Sequence, residues 1–352
     1  MSKKKVEEPE SPGWDAIHGA LRKVYGDTEP LHWGTVLPAM LGGNDPLDGI
    51  SAYRSEFGGR AHWHFVTFGY SELYAKESEN KDVSGYGYEM TIRVVDPEAA
   101  KEPPKWVLSL LQNLARYVFR TGNAFGVGHH TTLNGPIALE RQTLLEAAAF
   151  VADPQLPGVD TPNGHVDFIQ LVGLTDDEYD ATKSWDTLKL LQLAAERDPA
   201  MLTDLPRESW LEDPEFKKKV DEGTARDGSS MDLFYATKGC LDVDGELPVL
   251  GVAANALDDL KRLIRGRLEF EKTAMMAWPS GMAMLTAGKL TDVIKDEEGP
   301  VGLELALPDR KAILDLPVKR GDYPLPSGRA VIRIIPIEIL DGERKKVVRT
   351  VG

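Results

Sequence analysis

Over residues 86–122 the spacing of apolar residues changes from the two-residue period of a strand to the 3.6-residue period of a helix. This change restricts the chain to folds that combine sheet and helix. In YGYEMTIRVV, residues 86–95, apolar side chains alternate with Gly, Glu, Thr and Arg, which is typical of a strand with one buried face. From Trp106 to Val118 the apolar residues follow a helical period, and Gly122 can end that helix. The sequence therefore predicts an α+β fold.

The length of the chain predicts two domains. At 352 residues it exceeds the usual size of one domain, about 100 to 200 residues. The stretch EDPEFKKKVDEGTARDGSS, residues 212–230, is first highly charged and then rich in turn formers, as expected at a domain boundary. We predict a flexible N-terminal tail over 1–12, a first domain over 13–228 and a smaller α+β domain over 229–352.

The composition excludes several classes of function. The chain is 42% hydrophobic and 28% charged, as in ordinary globular proteins, and its net charge of −15 opposes binding to nucleic acid or anionic membranes. The longest weakly polar run, residues 274–288, contains Pro279 and is too short to cross a bilayer. The sequence thus predicts a cytoplasmic protein. Cys240 is the only cysteine, which rules out an internal disulfide.

Two histidines on a predicted strand raise the possibility of a metal site. Residues 62–74 read HWHFVTFGYSELY, and on a strand His62 and His64 point to the same face. A catalytic zinc site needs a third protein ligand, and candidates such as His129 and Asp167 show no recognised spacing. We therefore interpret the pair as structural, and a metal-dependent hydrolase that uses it is the alternative.

Two further elements are predicted near and beyond the expected domain boundary. Ser184 is predicted to begin a helix that carries Trp185 and Leu191 on one face. Residues 233–241 are predicted to form a strand of the second domain. The sequence contains no GxSxG motif, and GNAFGVGHH, residues 122–130, is not a phosphate-binding loop. A catalytic function therefore has no positive signal.

Several stretches together resemble the suppressor of fused family, over about residues 13 to 337. In chain order they read LGGNDPLDGISAYR, HWHFVTFGYSELY, SGYGYEMTIRV, LLQNLARYVFRTGNAF, DFIQLVGLT, VDEGTARDGSS, LIRGRLEFEK and SGMAMLTAG. The matches in the first domain are long and specific, and those in the second domain are looser. The long insertion that animal members carry in the second domain is absent, so the chain is similar to compact bacterial-type members.

The resemblance implies a fold and a function. It implies two mixed α/β domains joined by a short linker around a cleft, and a protein that binds partners without catalysis, cofactor or metal. In animal members the cleft holds a segment of Gli transcription factors. For bacterial-type members it implies a role as an immunity protein that masks a toxin, and the acidic charge favours a basic toxin.

The resemblance also implies a partner-binding site. A peptide segment of the partner would lie in the cleft between the domains, where strand addition gives affinity through backbone hydrogen bonds. Residues 233–240 supply the receiving strand. The side chains expected at the site are Tyr74, Phe234, Ala236, Lys238, Arg265 and Arg267.

Overall fold

The chain forms two compact units, each with its own core. The computed structural model describes residues 10–35, 43–95, 102–295, 299–340 and 347–352, so most of the predicted tail lies outside the described residues. Unit 1 comprises Met1–Thr182 and Thr187–Lys217, and unit 2 comprises Lys183–Asp186 and Lys218–Gly352. Both units combine helices with sheets, so the predicted α+β class is confirmed. The predicted boundary at residue 228 stays a prediction.

Unit 1 is built on an eight-stranded sheet. Its strands are β1 Leu31–Gly34, β2 Gly49–Ser55, β3 His62–Phe68, β4 Val83–Val94, β5 His130–Thr132, β6 Leu145–Ala152, β7 Val159–Thr161 and β8 Gly164–Thr175. The order is β1-β2-β3-β4-β8-β6-β5, and β7 also pairs with β8. The pair β4–β8 is parallel, and the other pairs are antiparallel.

The helices of unit 1 agree with the prediction that begins at Trp106 but not with the one that begins at Ser184. They are α1 Pro12–Tyr25, α2 Trp106–Thr121, α3 Asp176–Ser184, α4 Thr187–Ala195 and α5 Pro214–Asp227, of which α3 and α5 continue into unit 2. Gly122 has φ +75°, and its N–H donates to Val118 O, so it ends α2 as predicted. The prediction for Ser184 is wrong, because this residue ends α3 and the next helix begins at Thr187.

Helices cover both faces of the sheet in unit 1. On one face, Leu111 of α2 shares a hydrophobic cluster with Phe65 and Ile92. On the other face, Leu21 of α1 shares a second cluster with Val66. Because Phe65 and Val66 are consecutive on β3, their side chains point to opposite faces. All seven residues of β3 are buried for this reason.

The described residues of unit 2 form three smaller sheets. Its strands are β9 Leu233–Tyr235, β10 Gly239–Asp242, β11 Val249–Ala253, β12 Ala274–Trp278, β13 Gly281–Gly288, β14 Asp292–Ile294, β15 Gly302–Ala306, β16 Gly321–Pro324, β17 Val331–Ile335, β18 Ile337–Leu340 and β19 Val347–Val351. The sheet orders are β14-β15-β13-β12-β9, β10-β11-β17-β16 and β18-β19. The predicted single strand over 233–241 is wrong, because β9 and β10 belong to different sheets.

The core of unit 2 forms around one amphipathic helix. Helices α6 Leu257–Gly266 and α7 Leu307–Leu314 lie in this unit. Leu260, Leu263 and Ile264 recur at helical spacing on α6 and are buried in a cluster with residues of both larger sheets.

Four residues of unit 2 lie far from the rest of the unit along the sequence. The segment Lys183–Asp186 belongs to unit 2, although unit 1 precedes and follows it. Trp185 Nε1–H donates to Asp227 Oδ2 at 3.0 Å, and Ser230 N–H donates to Trp185 O at 2.6 Å. A Cβ at Gly223 would lie 2.3 Å from the Trp185 ring, so glycine is required there.

Candidate functional site

Strand β9 is an edge of the five-stranded sheet. It pairs with β12 on one side, and among the described residues no strand pairs with its other side. The side chains of Phe234 and Ala236 are buried in the core of unit 2. The side chains of Leu233 and Tyr235 are 46% and 61% exposed. The strand thus presents alternate residues to the core and to solvent.

The hydrogen bonds of β9 show which backbone groups remain available. Ala236 N–H donates to Ala277 O at 2.8 Å, and Asp232 O accepts from Met275 N–H. Because successive backbone groups of a strand point in opposite directions, the N–H and C=O groups of Leu233 and Tyr235 point away from β12. A strand that adds to this edge would form its hydrogen bonds with these two residues. It could not bond to the N–H of Ala236, because that group already donates to Ala277 O within the sheet.

The other predicted residues of unit 2 have different environments. Lys238 is exposed just after β9, and its carbonyl accepts from Ala253 N–H at 3.0 Å. Arg265 is exposed at the end of α6. Arg267 donates through Nε to Thr273 O at 2.6 Å and through Nη1 to Ser229 O at 3.0 Å, so it fixes the backbone just before β9. The binding role of all three stays a prediction.

Tyr74 lies in unit 1, in the loop that joins β3 to β4, and is 46% exposed. The residue before it, Leu73, is buried in the core, and its carbonyl accepts from the N–H groups of Gly13 and Trp14 in the first turn of α1. The first N–H groups of a helix have no acceptor within the helix, and here they bond to the loop beside Tyr74 and fix it. The aromatic ring is presented from a rigid backbone.

A buried carboxylate organises the start of the same loop. Glu89 is fully buried and accepts hydrogen bonds from Thr67 Oγ1 at 2.7 Å, Gly69 N–H at 2.9 Å and Ser71 Oγ at 2.6 Å. Burial raises the pKa of Glu89 to about 7, although these hydrogen bonds act in the opposite direction. The loop therefore depends on an acid that titrates near neutrality.

A second carboxylate organises the rest of the loop. Glu72 accepts from Lys76 Nζ at 2.8 Å and from the N–H groups of Glu77 at 2.8 Å and Gly85 at 3.1 Å. Burial alone would raise the pKa of Glu72, but these donors outweigh it and lower that pKa to about 2. Gly85 has φ +56°, and a Cβ there would lie 2.6 Å from Tyr70 O, so only glycine fits.

The two histidines of β3 are buried and make contacts within unit 1. His64 is fully buried, with Nδ1 at 2.6 Å from Tyr25 Oη and Nε2 at 3.1 Å from Asp153 Oδ2. His62 Nδ1 lies 2.7 Å from Arg60 O. In the part of the chain that the structure describes, no three His, Cys, Asp or Glu side chains are placed to hold a metal ion. The hydrolase alternative therefore has no structural support.

Beside His64 lies a fully buried ion pair. Arg93 donates through Nη2 to Asp153 Oδ1 at 2.7 Å and through Nε to Gln170 Oε1 at 2.9 Å. Burial alone would raise the pKa of Asp153, but His64, Arg93 and the N–H of Gln155 hold that pKa well below its usual range. Burial and the charge of Arg93 lower the pKa of His64 to about 4, so its imidazole is neutral at pH 7.

The sequence pattern does not reveal which residues form the exposed side of β9 or which residues support the Tyr74 loop. Leu233 and Tyr235 alternate with Phe234 and Ala236, so the sequence shows the period of the strand. It does not show which of the two sets of side chains faces solvent. Glu89 looked like a solvent-facing residue of an amphipathic strand, because the apolar residues of β4 alternate around it. The helix α1 covers that second face, which periodicity within β4 does not reveal.

Comparisons with known proteins identify the family to which unit 1 belongs. The family model for suppressor of fused protein (SUFU) matches residues 43–208. Suppressor of fused homologs from Homo sapiens and Mus musculus are each 34% identical over 235 residues, 62% of this chain and 48% of the relative. The chain thus spans about half the length of these curated relatives.

Solved structures show the same fold. The crystal structure of Drosophila Suppressor of Fused has a TM-score of 0.76 and 22% identity, and the match covers 92% of this chain and 97% of that chain. A chain in the Sufu–Fu complex crystal structure has a TM-score of 0.57 and 31% identity, with 60% of this chain and 98% of that chain covered. The chain belongs to the suppressor of fused family.

No helix in the described residues is long and apolar enough to cross a membrane.

Proposed function

We propose that this protein acts without catalysis, by binding an extended segment of a protein partner and masking it. The observation that carries the proposal is the open edge of β9, where the backbone groups of Leu233 and Tyr235 point away from the sheet and their side chains are exposed. Main-chain hydrogen bonds along such an edge give affinity, and exposed side chains give specificity. The structure of a relative in the Sufu–Fu complex supports a binding function.

Tyr74 is the second feature that supports the proposal. Aromatic side chains on a rigid backbone bind with little loss of conformational entropy and often dominate the energy of an interface. The loop around Tyr74 is fixed by Glu72 and by the first turn of α1. In unit 2, Lys238 is exposed just after β9 and Arg265 at the end of α6, and Arg267 fixes the backbone just before β9.

We further propose that the partner is a basic protein in the cytoplasm and that the masking is an immunity function against a toxin. The net charge of −15 supports a basic partner, because opposite charges speed encounter and disfavour wrong partners. A pull-down from the native organism tests this. We expect one dominant basic partner with a toxic activity that this protein inhibits. Recovery of an acidic partner would overturn the basic-partner proposal, and recovery of a harmless partner would overturn the immunity role.

The experiment for the binding site uses two tyrosines of matched exposure. Tyr74 and Tyr117 are 46% and 45% exposed in unit 1. Tyr74→Ala should weaken partner binding by about 2 kcal/mol, roughly thirtyfold, in a calorimetric titration. Tyr117→Ala should bind the partner as the wild type does. Neither change should lower the melting temperature by more than a few degrees, and normal binding by Tyr74→Ala would remove Tyr74 from the site.

A further inference from the structure

A groove in unit 1 is separate from every residue that the proposed function uses. It encloses about 680 Å³ between helix α2 and the chain from β5 to Glu140. Small-molecule sites in proteins typically enclose about 300 to 1,000 Å³ and are lined mainly by apolar and aromatic side chains. The groove has the size of such a site.

One stripe of α2 forms the first wall of the groove. Trp106, Leu110, Leu114 and Tyr117 line it and recur at helical spacing. At a rise of 1.5 Å per residue, the stripe from Trp106 to Tyr117 is about 16 Å long. Leu110 and Leu114 are buried in the same core cluster as Leu111, so they form the floor of the groove, whereas Tyr117 is 45% exposed at its rim.

The second wall and one end of the groove also carry apolar side chains. Ile137 is buried and Leu139 is 86% exposed, and both line the groove. Phe125 also lines it, with its ring centroid 5.7 Å from that of Tyr117 and 4.4 Å from that of Phe150. A ligand in the groove would therefore contact aliphatic groups on two walls and an aromatic pair.

The polar groups that line the groove indicate an uncharged ligand. Ser109 and Asn113 on the helix, and Thr131 on the opposite wall, supply hydroxyl and amide groups without charge. Among the described residues, the charged members of the lining are one cation, Lys105, whose Nζ lies 3.9 Å from a carboxylate oxygen of Glu102, and one anion, Glu140, so the lining has no excess of either charge. The net charge of −15 on the whole chain disfavours an anionic ligand further.

We propose that this groove binds a neutral, elongated, mainly apolar small molecule that carries one hydroxyl or carbonyl group. The apolar body lies along the α2 stripe, and its polar group bonds with a hydroxyl or amide of the lining. The groove and the β9 edge share no residue, so the test of one does not depend on the other.

Three probes with the same ten-carbon chain test the class of ligand by isothermal titration. The probes are 1-decanol, decanoate and decyltrimethylammonium, used below their aggregation limits. We expect saturable binding of 1-decanol, at least fivefold tighter than that of either charged probe. Absence of saturable 1-decanol binding, or equal or tighter binding of a charged probe, would contradict the proposal.

Variants locate the binding to the groove. Ser109 is exposed and lines the groove, so Ser109→Trp should fill it and weaken 1-decanol binding at least tenfold without disturbing the core. Arg120→Trp is the matched control, since Arg120 is exposed on the same helix outside this groove, and it should bind 1-decanol normally. Leu139→Ser should weaken binding at least threefold.

The oligomeric state tests the competing occupant, a second copy of the chain. In size-exclusion chromatography with light scattering, we expect wild type and Ser109→Trp to have the same mass. A dimer that Ser109→Trp dissociates would show that the groove is an interface between copies and would overturn the small-molecule site.

Discussion

Asp153 shows how a single side chain can decide the stability of unit 1. Its carboxylate is the counter-charge of Arg93, and both side chains are fully excluded from solvent. Replacement of one partner leaves the other charged and buried, which costs far more than the pair itself contributes. The same carboxylate lies beside His64, so the histidine that resembled a metal ligand belongs to this network.

We expect Asp153→Asn to lower the free energy of unfolding by about 3 kcal/mol or more, because Arg93 then lacks a buried counter-charge. Urea denaturation at pH 7 measures this. Asp160→Asn is the control, since Asp160 pairs with His165 at the surface and its side chain is 92% exposed. That change should cost under about 1 kcal/mol. Equal effects of the two substitutions would refute the role given to the ion pair.

Glu89 makes the stability of the Tyr74 loop depend on pH. Its pKa is about 7 in the folded chain, above its ordinary value of 4.5, so the folded state binds the proton more tightly than the unfolded state. Protonated Glu89 therefore contributes fully to the free energy of unfolding below pH 4.5. This contribution, about 3 kcal/mol, is lost as the pH rises to about 7.

Glu89→Gln should remove this loss, so the stability of the variant relative to wild type should rise between pH 5 and pH 7.5. Urea denaturation at the two pH values tests it. Glu72→Gln is the control, because the pKa of Glu72 is lowered to about 2 and its contribution changes only in acid, below about pH 4.5. If Glu89→Gln followed the pH dependence of wild type, Glu89 would not be the titrating group.

At the scale of elements, β9 offers a matched pair of proline substitutions. Tyr235 N–H points away from the sheet, whereas Ala236 N–H bonds to Ala277 O. Proline is tolerated on an edge strand where its missing N–H would face solvent. Tyr235→Pro should therefore keep the fold and weaken partner binding at least tenfold. Ala236→Pro should destabilise unit 2 by about 1 to 3 kcal/mol, because the carbonyl of Ala277 loses its donor.

Calorimetric titration with the partner and thermal unfolding separate the two proline effects. Tyr235→Ala controls for the loss of the aromatic ring and should weaken binding less than Tyr235→Pro. Strand addition at this edge would be disproved if Tyr235→Pro and Tyr235→Ala bound the partner equally well.

Elements with one clear hydrophobic period could be predicted from the sequence. Helix α2 and its end at Gly122 follow from such a pattern, as does strand β4. Strand β6, LEAAAFVA, shows no alternation because both of its faces are packed, and the break between β9 and β10 depends on two different neighbouring strands. The sequence could not predict that the backbone groups of Leu233 and Tyr235 point away from the sheet. That direction depends on the pairing of β9 with β12.

At the scale of the whole molecule, the net charge of −15 makes a prediction about kinetics. Association with a basic partner should slow at least tenfold when the ionic strength rises from about 0.05 M to 0.5 M, because salt screens long-range attraction. Stopped-flow mixing with the isolated partner measures the rate. The dissociation rate should change much less. An association rate that did not depend on salt would argue against a basic partner.

The segment Lys183–Asp186 limits how the gene can be rearranged. An exchange of coding sequence at residue 217 would replace Asp227 and Gly223 and leave Trp185 behind, although these three residues fit one another. A recombinant protein would then combine Trp185 with a helix from another sequence. That helix would have to supply both an acceptor for the indole N–H and a glycine that leaves room for the ring. The two units should therefore be inherited together, and their substitutions at 185, 223 and 227 should change in concert over evolution.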